Sequence, residues 1–497
     1  MDKASEVGIL FPEILIPDKK TNKKKWAVIA CDQFTSNPEY WHKTTRTVGG
    51  APSALHIMVP EAFLGDDDTD ERIEHAKETM GNYIEDGILV RLPKGMMLVE
   101  RETLYGTRIG LVLAIDLEQY DTDHTNKSLI RATEQTVAER VPPRMKIREG
   151  ALIECPHVML MLNDPDGEVI GDVYQARGNH TKVYDTPLMQ GGGNIKGWFI
   201  DDEEVMEHFT QSLAELKEQS PEGMLFAVGD GNHSLASAKA VWEEEKPELS
   251  EAEQQNHPLR YALVEVVNLF DNGITMHPIH RVLFGVEAPN ALRTLVTILN
   301  DMGVDARMMY TRGAKAQVRK DVQTVLFESR MAKGRIEITK PKHELLTVTL
   351  SAAIDLLLER MPKTQIDYIH GEAEFHELCK QHGSLGFMLT SMTKEQLFRY
   401  VIEYGVLPRK AFSLGEAQEK RYYYECRLLV DPDAGEEDEV EEAFEDSEEE
   451  ESHNEPEMTE PPEDEAQEDE AEETPREKRK REKREKRDRK RNEDEGM

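Results

Sequence analysis

Met224-Leu-Phe-Ala-Val228, Gly229-Asp-Gly-Asn-His-Ser234 and Leu235-Ala-Ser-Ala-Lys-Ala-Val-Trp242 follow one another without a break. The first block is apolar and short enough for a buried strand, and the last is rich in helix formers. Two glycines and an Asp/Asn pair lie between them, so the stretch reads strand, turn, helix. A helix entered this way leaves its first backbone N–H groups without partners inside the helix, and the positive end of its dipole adds to them. That combination is an anion site, usually for phosphate. Gly229, Gly231, Asn232 and Ser234 are the candidate phosphate-binding positions. Asp230 is a candidate to hold magnesium or to accept a proton from a hydroxyl. His233 is a candidate phosphate donor or acid–base group. The plainer alternative is that Asp230 and Asn232 only cap the helix while His233 packs locally.

The same alternation extends outward. Branched, apolar runs predict strands at Trp26–Ala30, Ile109–Ile115, Val158–Leu162, Ala262–Leu269 and Leu345–Leu350. Helical spacing unites Val205, Phe209, Leu213 and Leu216, and again Leu292, Leu295 and Leu299. Thr393-Lys-Glu-Gln396 has the form of a capping box opening a further helix. Asp164-Pro-Asp-Gly167, Asp271-Asn-Gly273 and Gly191-Gly-Gly193 mark turns. The fold class expected is α/β (α+β), a mixed-sheet globular body over residues 1–430, divided into two lobes near residue 285.

Charge separates that body from the C-terminal tail. The 497 residues carry a formal net charge of −37. Residues 431–475 hold 25 Asp or Glu and no Lys or Arg, whereas residues 476–491 hold 12 Lys or Arg against 4 acids. The last 67 residues account for −20 and the body for −17. With almost no branched apolar residues, an acidic tail 431–475 and a mixed-charge tip 476–497 are expected to be disordered. Pairs such as Glu477 with Arg481 also suit a solvated charged helix in the tip. An acidic body argues against nonspecific nucleic-acid binding. No run is long enough to span a membrane, and no secretory signal is read at the N-terminus. Cys31, Cys155, Cys379 and Cys426 lie far apart without a Cys-x-x-Cys, which suits reduced, cytoplasmic thiols.

Other candidates are dispersed. Asp32 and Glu61 each come after an apolar run, where strand-end carboxylates often face a cleft, so either could be a general base. His277-Pro-Ile-His280-Arg281 reads as one strand that is either a phosphate clamp through His280 and Arg281 or a strand whose histidines bond the backbone. Gly191-Gly-Gly-Asn-Ile-Lys-Gly197 either cradles phosphate with Lys196 as counter-charge or is a plain loop; it lacks the Walker spacing.

The chain resembles the domain-of-unknown-function-1015 family across residues 5–430. The segments that carry the resemblance include Trp26-Ala-Val-Ile-Ala-Cys-Asp-Gln33, Pro142-Pro-Arg144, Gly229 to Ser234, His277-Pro-Ile-His280-Arg281 and Ile366-Asp-Tyr-Ile-His-Gly-Glu372. The strand–Asp-Gly-x-His–helix element is similar to that of the ParB/sulfiredoxin-like superfamily. This resemblance implies nucleotide binding at the turn, ADP or ATP with magnesium as cofactor, and a phosphotransferase acting on a small hydroxylated metabolite, free L-serine first. A hydrolase of phosphoserine and a non-catalytic nucleotide-binding regulator are the alternatives. The commoner motif ends in Arg where this chain has Ser234, so the resemblance leaves the phosphate cation to Arg281 or Lys196.

Overall fold

Residues 3–123, 125–310 and 322–430 are described by the computed structural model; both charged tail segments lie outside the described residues. Among the described residues the chain builds two large sheets, one mixed and one antiparallel, with three two-stranded ones beside them. The larger has ten strands. Its centre is Thr107–Asp116, Tyr261–Asn268, Val158–Leu162 and Phe226–Asp230, side by side in that order. Val158–Leu162 runs parallel to Tyr261–Asn268 and antiparallel to Phe226–Asp230. The second sheet has seven strands, with Met276–Phe284 between Ser384–Met388 and Gln365–His370. The chain passes from one sheet to the other across the Asp271-Asn-Gly273 turn.

Period-two packing explains why the central strands read as unbroken apolar runs. Met96, Leu98, Leu111 and Leu113 face one cluster with Phe209, Leu235 and Trp242, while Met97, Val99 and Val112 face another with Trp26, Trp41 and Tyr424. Both faces of the larger sheet are therefore covered, which favours apolar side chains on both, with buried charges such as Glu265 and Arg108 as exceptions. Helices Glu203–Gln219, Ala288–Asp301 and Lys394–Tyr404 occur where the spacing predicts them, and Thr393 with Gln396 forms the full capping box. Among the described residues no helix is long and apolar enough to cross a membrane.

Two expectations change. Leu345–Leu350 opens the helix Leu346–Arg360 rather than forming a strand. Its apolar run continues at helical spacing through Ala353, Ile354 and Leu357, all buried, and a short apolar run alone does not separate the two states. Trp26–Ala30 is split, with Trp26 closing a short helix Lys23–Trp26 and only Val28–Ile29 extended.

Residues 412–430 return as a C-terminal strap. Phe412–Leu414 pairs with Met276–Pro278, Tyr422–Tyr423 with Val28–Ile29, and Arg427–Leu428 with Ile153–Glu154. The Trp26 indole N–H donates to Tyr424 O at 2.8 Å. Under the strap lies a buried charge network. Arg421 reaches Glu265 at 3.2 Å and also contacts Glu425, while Arg108 reaches Glu265 at 3.3 Å. The Arg108 and Arg101 guanidiniums also donate to the strap carbonyls of Glu419 and Gln418.

Candidate functional site

The motif strand ends at Asp230 and the helix Asn232–Glu245 starts after Gly231. Met159 pairs with Asp230 but Leu160 with Val228, so Gly229 is the extra residue of a β-bulge that re-aims Asp230. A Cβ on Gly229 would lie 2.6 Å from the Leu414 side chain, so the strap can approach only a glycine here. Gly231 has φ +82°, the left-handed conformation that reverses the chain into the helix. Asn232 is pinned from the side: its Oδ1 accepts the Thr133 N–H at 3.2 Å. Asn232 thus anchors the turn against the neighbouring loop.

These residues line a cleft of about 1410 Å³ bounded by both sheets, the helix Val141–Arg148 and the strap. The cleft brings Asp32 and Glu61, distant in the sequence, together with the consecutive residues Gly229, Asp230, Gly231, Asn232, His233 and Ser234. Lys196, His280 and Arg281 do not line it. Lys196 bonds Glu100 at 2.6 Å on the larger sheet. His280 is buried and accepts the Leu389 N–H at 3.2 Å. Arg281, also buried, donates to Lys410 O at 2.8 Å and Ile279 O at 2.7 Å.

The cations that do face the cleft come from elsewhere. Lys420, on the strap, bonds Asp230 at 3.0 Å. Arg144 pairs with Glu61. Arg140, Arg409 and Lys410 also line the cleft and have no ion-pair partner among the described residues. Lys410 has φ +58°. Its N–H donates to Glu134 Oε1 at 3.0 Å and its carbonyl accepts from Arg281, so the strained residue is clamped on both sides. Arg281 therefore bears on the cleft indirectly, through the loop that carries Arg409 and Lys410.

Protonation is set by these neighbours. Burial, then the Arg144 and Arg140 guanidiniums, push the His233 imidazole down to about 4. Its Nε2 accepts the Val137 N–H at 3.2 Å, so the neutral ring carries its proton on Nδ1 and can only donate there. His157 behaves oppositely. Burial opposes its charge, but Asp32 at 3.5 Å raises it well above the ordinary histidine value. Burial would likewise raise Asp32, yet His157 holds that carboxyl well below its ordinary range. Tyr423 OH lies 2.5 Å from His157 Nδ1 and accepts the Cys31 N–H at 3.0 Å. Glu134 is pushed upward by burial, only partly offset by Lys410.

Asp230 is engaged by Lys420 and by the Gly231 N–H at 3.2 Å. Among the described residues no three His, Cys, Asp or Glu side chains cluster as a metal cage. A magnesium ion carried in by phosphates needs only one or two carboxylates, and Asp230 and Asp32 are the aspartates of the cleft beside the turn that would hold it.

Sequence reading passed over His157, Glu134, Arg140 and Lys420. Lys420 sits in Lys420-Arg-Tyr-Tyr-Tyr-Glu425, an aromatic and charged run unlike the acidic tail beyond it.

Comparisons with known proteins give three results. Solved structures with a similar chain path include a free serine kinase in complex with AMP, at 12% identity, covering 64% of this chain and 92% of that one, with a TM-score of 0.35. A conserved hypothetical protein from Pyrococcus furiosus is 11% identical, covers 67% and 97%, and scores 0.34. A C-terminally truncated SbnI from Staphylococcus aureus is 9% identical, covers 68% and 93%, and scores 0.32. Likeness at this level carries no argument about activity. No curated protein matches the chain. A family model matches residues 15–361, well over half the chain, and on that ground the chain belongs to the family described as protein of unknown function (DUF1015).

Proposed function

We propose that this protein is a nucleotide-dependent phosphotransferase acting on a small hydroxylated metabolite, with ADP or ATP as donor and free L-serine as the leading acceptor. One observation carries the reading: the first-turn residues Asn232, His233 and Ser234 of the helix Asn232–Glu245 line a single cleft with Lys420, Arg140 and Lys410. Phosphoryl transfer needs mainly positioning and charge neutralisation, and these are fixed donors and cations of that kind. Drug-sized ligands fill roughly 300–1,000 Å³, so about 1410 Å³ leaves room for a nucleotide and a second small molecule together.

In this reading the phosphates lie on the turn Gly231–Ser234, with the motif itself resembling the ParB/sulfiredoxin-like element. Lys420 and Lys410 offset their charge. His233 donates to a phosphate oxygen and is not the base, because its Nε2 is engaged by the Val137 N–H. Asp32, kept ionised beside His157, accepts the proton of the acceptor hydroxyl. Glu61 is closed off by Arg144 and holds that arginine in place.

Phosphorus NMR of the purified chain with ADP or ATP, magnesium and L-serine tests the proposal. Formation of phosphoserine is expected. Free phosphate released from phosphoserine alone would instead assign a hydrolase using water as acceptor. Nucleotide binding without turnover of either would leave a regulatory protein. His233→Ala is expected to abolish turnover, and an unchanged rate would remove His233 from the mechanism.

A further inference from the structure

Cysteines 155 and 426 are 271 residues apart, and nothing in their spacing links them. The fold does. Arg427 pairs with Glu154 and Leu428 with Ile153 in an antiparallel ladder, so one step further the register sets Cys426 opposite Cys155. The backbone N–H and C=O of Cys426 both bond Leu15, at 2.8 and 2.9 Å, and so point away from Cys155. On the ladder itself the Leu429 N–H donates to Leu152 O at 2.8 Å, which fixes the alternation. Cys426 and Cys155 thus occupy a non-hydrogen-bonded site, where facing Cα atoms stand about 4.5 Å apart. That is within the roughly 4.4–6.8 Å a disulfide spans. The two sulfurs are 3.6 Å apart, and both thiols are free. Neither remaining cysteine competes at this contact. Cys31 Sγ rests 3.7 Å from His157 Nδ1, and Cys379 is buried at the end of the helix Glu372–Cys379, against Gly386 of the second sheet.

We infer that Cys155 and Cys426 are a redox-closing dithiol, which a small peroxide converts to an intrachain disulfide that fastens the strap to the wall of the cleft. Exposure sets the order of events. Cys155 is partly exposed and Cys426 is fully buried. The Cys155 thiolate attacks one oxygen of hydrogen peroxide, the O–O bond breaks, and the second oxygen leaves as water after taking up a proton. Cys426 then attacks the sulfenic sulfur. The S–S bond forms, the S–O bond breaks, and hydroxide leaves with the Cys426 proton as a second water. Two thiols lose two electrons in all, and one peroxide becomes two waters.

The bond brackets a contact of the cleft. Cys155 precedes His157 by two residues, and Cys426 comes three after Tyr423, while His157 and Tyr423 touch at 2.5 Å. Closing the disulfide holds both ends of that contact in one covalent frame. The inference stands on the ladder register and the sulfur distance, independently of the phosphotransferase reading.

The full chain is treated with hydrogen peroxide, alkylated, and digested without reduction for mass spectrometry. A single linked peptide pair containing Cys155 and Cys426 is expected, with an intact mass lower by two hydrogens and reversal by dithiothreitol. In Cys155→Ser, a near-isosteric change at a partly exposed site, no link forms and Cys426 stays a thiol. Hydrogen exchange over residues 412–430 slows in the oxidised chain and recovers on reduction. Conversion of Cys155 to sulfinic acid while Cys426 remains reduced, or a link to Cys31, overturns the pairing. Unchanged exchange over the strap overturns the fastening.

Discussion

At the residue scale, the cleft's cations are the groups whose loss is easiest to read. Lys420 is buried beside Asp230 on the floor of the turn. A hydrogen bond to a charged group contributes about 1.5–3 kcal/mol, so Lys420→Met is expected to weaken nucleotide binding by roughly ten- to a hundredfold in calorimetry. Lys196→Met, on a residue that bonds Glu100 off the cleft, is expected to leave the affinity unchanged. His233 supplies a stability prediction with a definite sign. Its folded-state value of about 4 lies below the ordinary 6.5, so between those limits the unfolded chain binds more protons. Its contribution is present above pH 6.5 and is lost as pH falls toward 4. His157 acts in reverse, contributing below pH 6.5 and losing that contribution as pH rises through its raised value. Denaturant midpoints of wild type and His233→Phe across pH 4–7 check the first part: the mutant should lose the part of the acid slope due to this residue.

At the scale of elements, what could be read from sequence divides along contact range. The stretch Met224–Trp242 was legible as strand, turn and helix because the three are consecutive and each is decided by its own residues; the bulge at Gly229 was not, since it depends on pairing with Val158–Leu162. Val158–Leu162 and the helices at Val205 and Leu292 were legible through periodicity. Leu345–Leu350 was not, since a six-residue apolar run satisfies a buried strand and a buried helix turn alike, and only the residues after it decide. Glycine 231 is the element's hinge. Gly231→Ala would place a Cβ in the left-handed region and about 3.0 Å from His157. The conformation alone costs about 1–2 kcal/mol. A fall in unfolding free energy of at least that size is expected from chemical denaturation, with looser nucleotide binding because the turn no longer presents its amides. A neutral substitution would mean that the turn relaxes without consequence.

Across the whole molecule, the cleft is assembled from segments that sequence reasoning had no means to unite. Asp32 and His157 form their pair across a long stretch of chain, and Lys420 meets Asp230 only because the strap runs back over the larger sheet. Arg281 and Lys196 do not line the cleft, whereas Lys420, Lys410 and Arg140 do, and all three sit outside the strands. The charge network around Glu265 holds the strap in place. Removing one partner of a buried ion pair typically costs about 3–5 kcal/mol, because the other charge is left without compensation. Arg421→Met is therefore expected to lower stability by about that much and to weaken nucleotide binding through loss of the strap's placement; urea unfolding and then calorimetry on the folded fraction measure both.

The strap's return to Trp26, a contact spanning 398 residues, also sets an order on synthesis. While the ribosome is still adding the second sheet, the motif turn, Asp32 and His157 are already outside it, but the cleft has no Lys420 and no Tyr423. From residue 235 to residue 419 the growing chain therefore carries the turn without Lys420, and the Trp26 indole without its Tyr424 acceptor. On the proposed function, Lys420 reaches the turn only when the strap docks, and closing so long a loop is expected to be a slow part of folding.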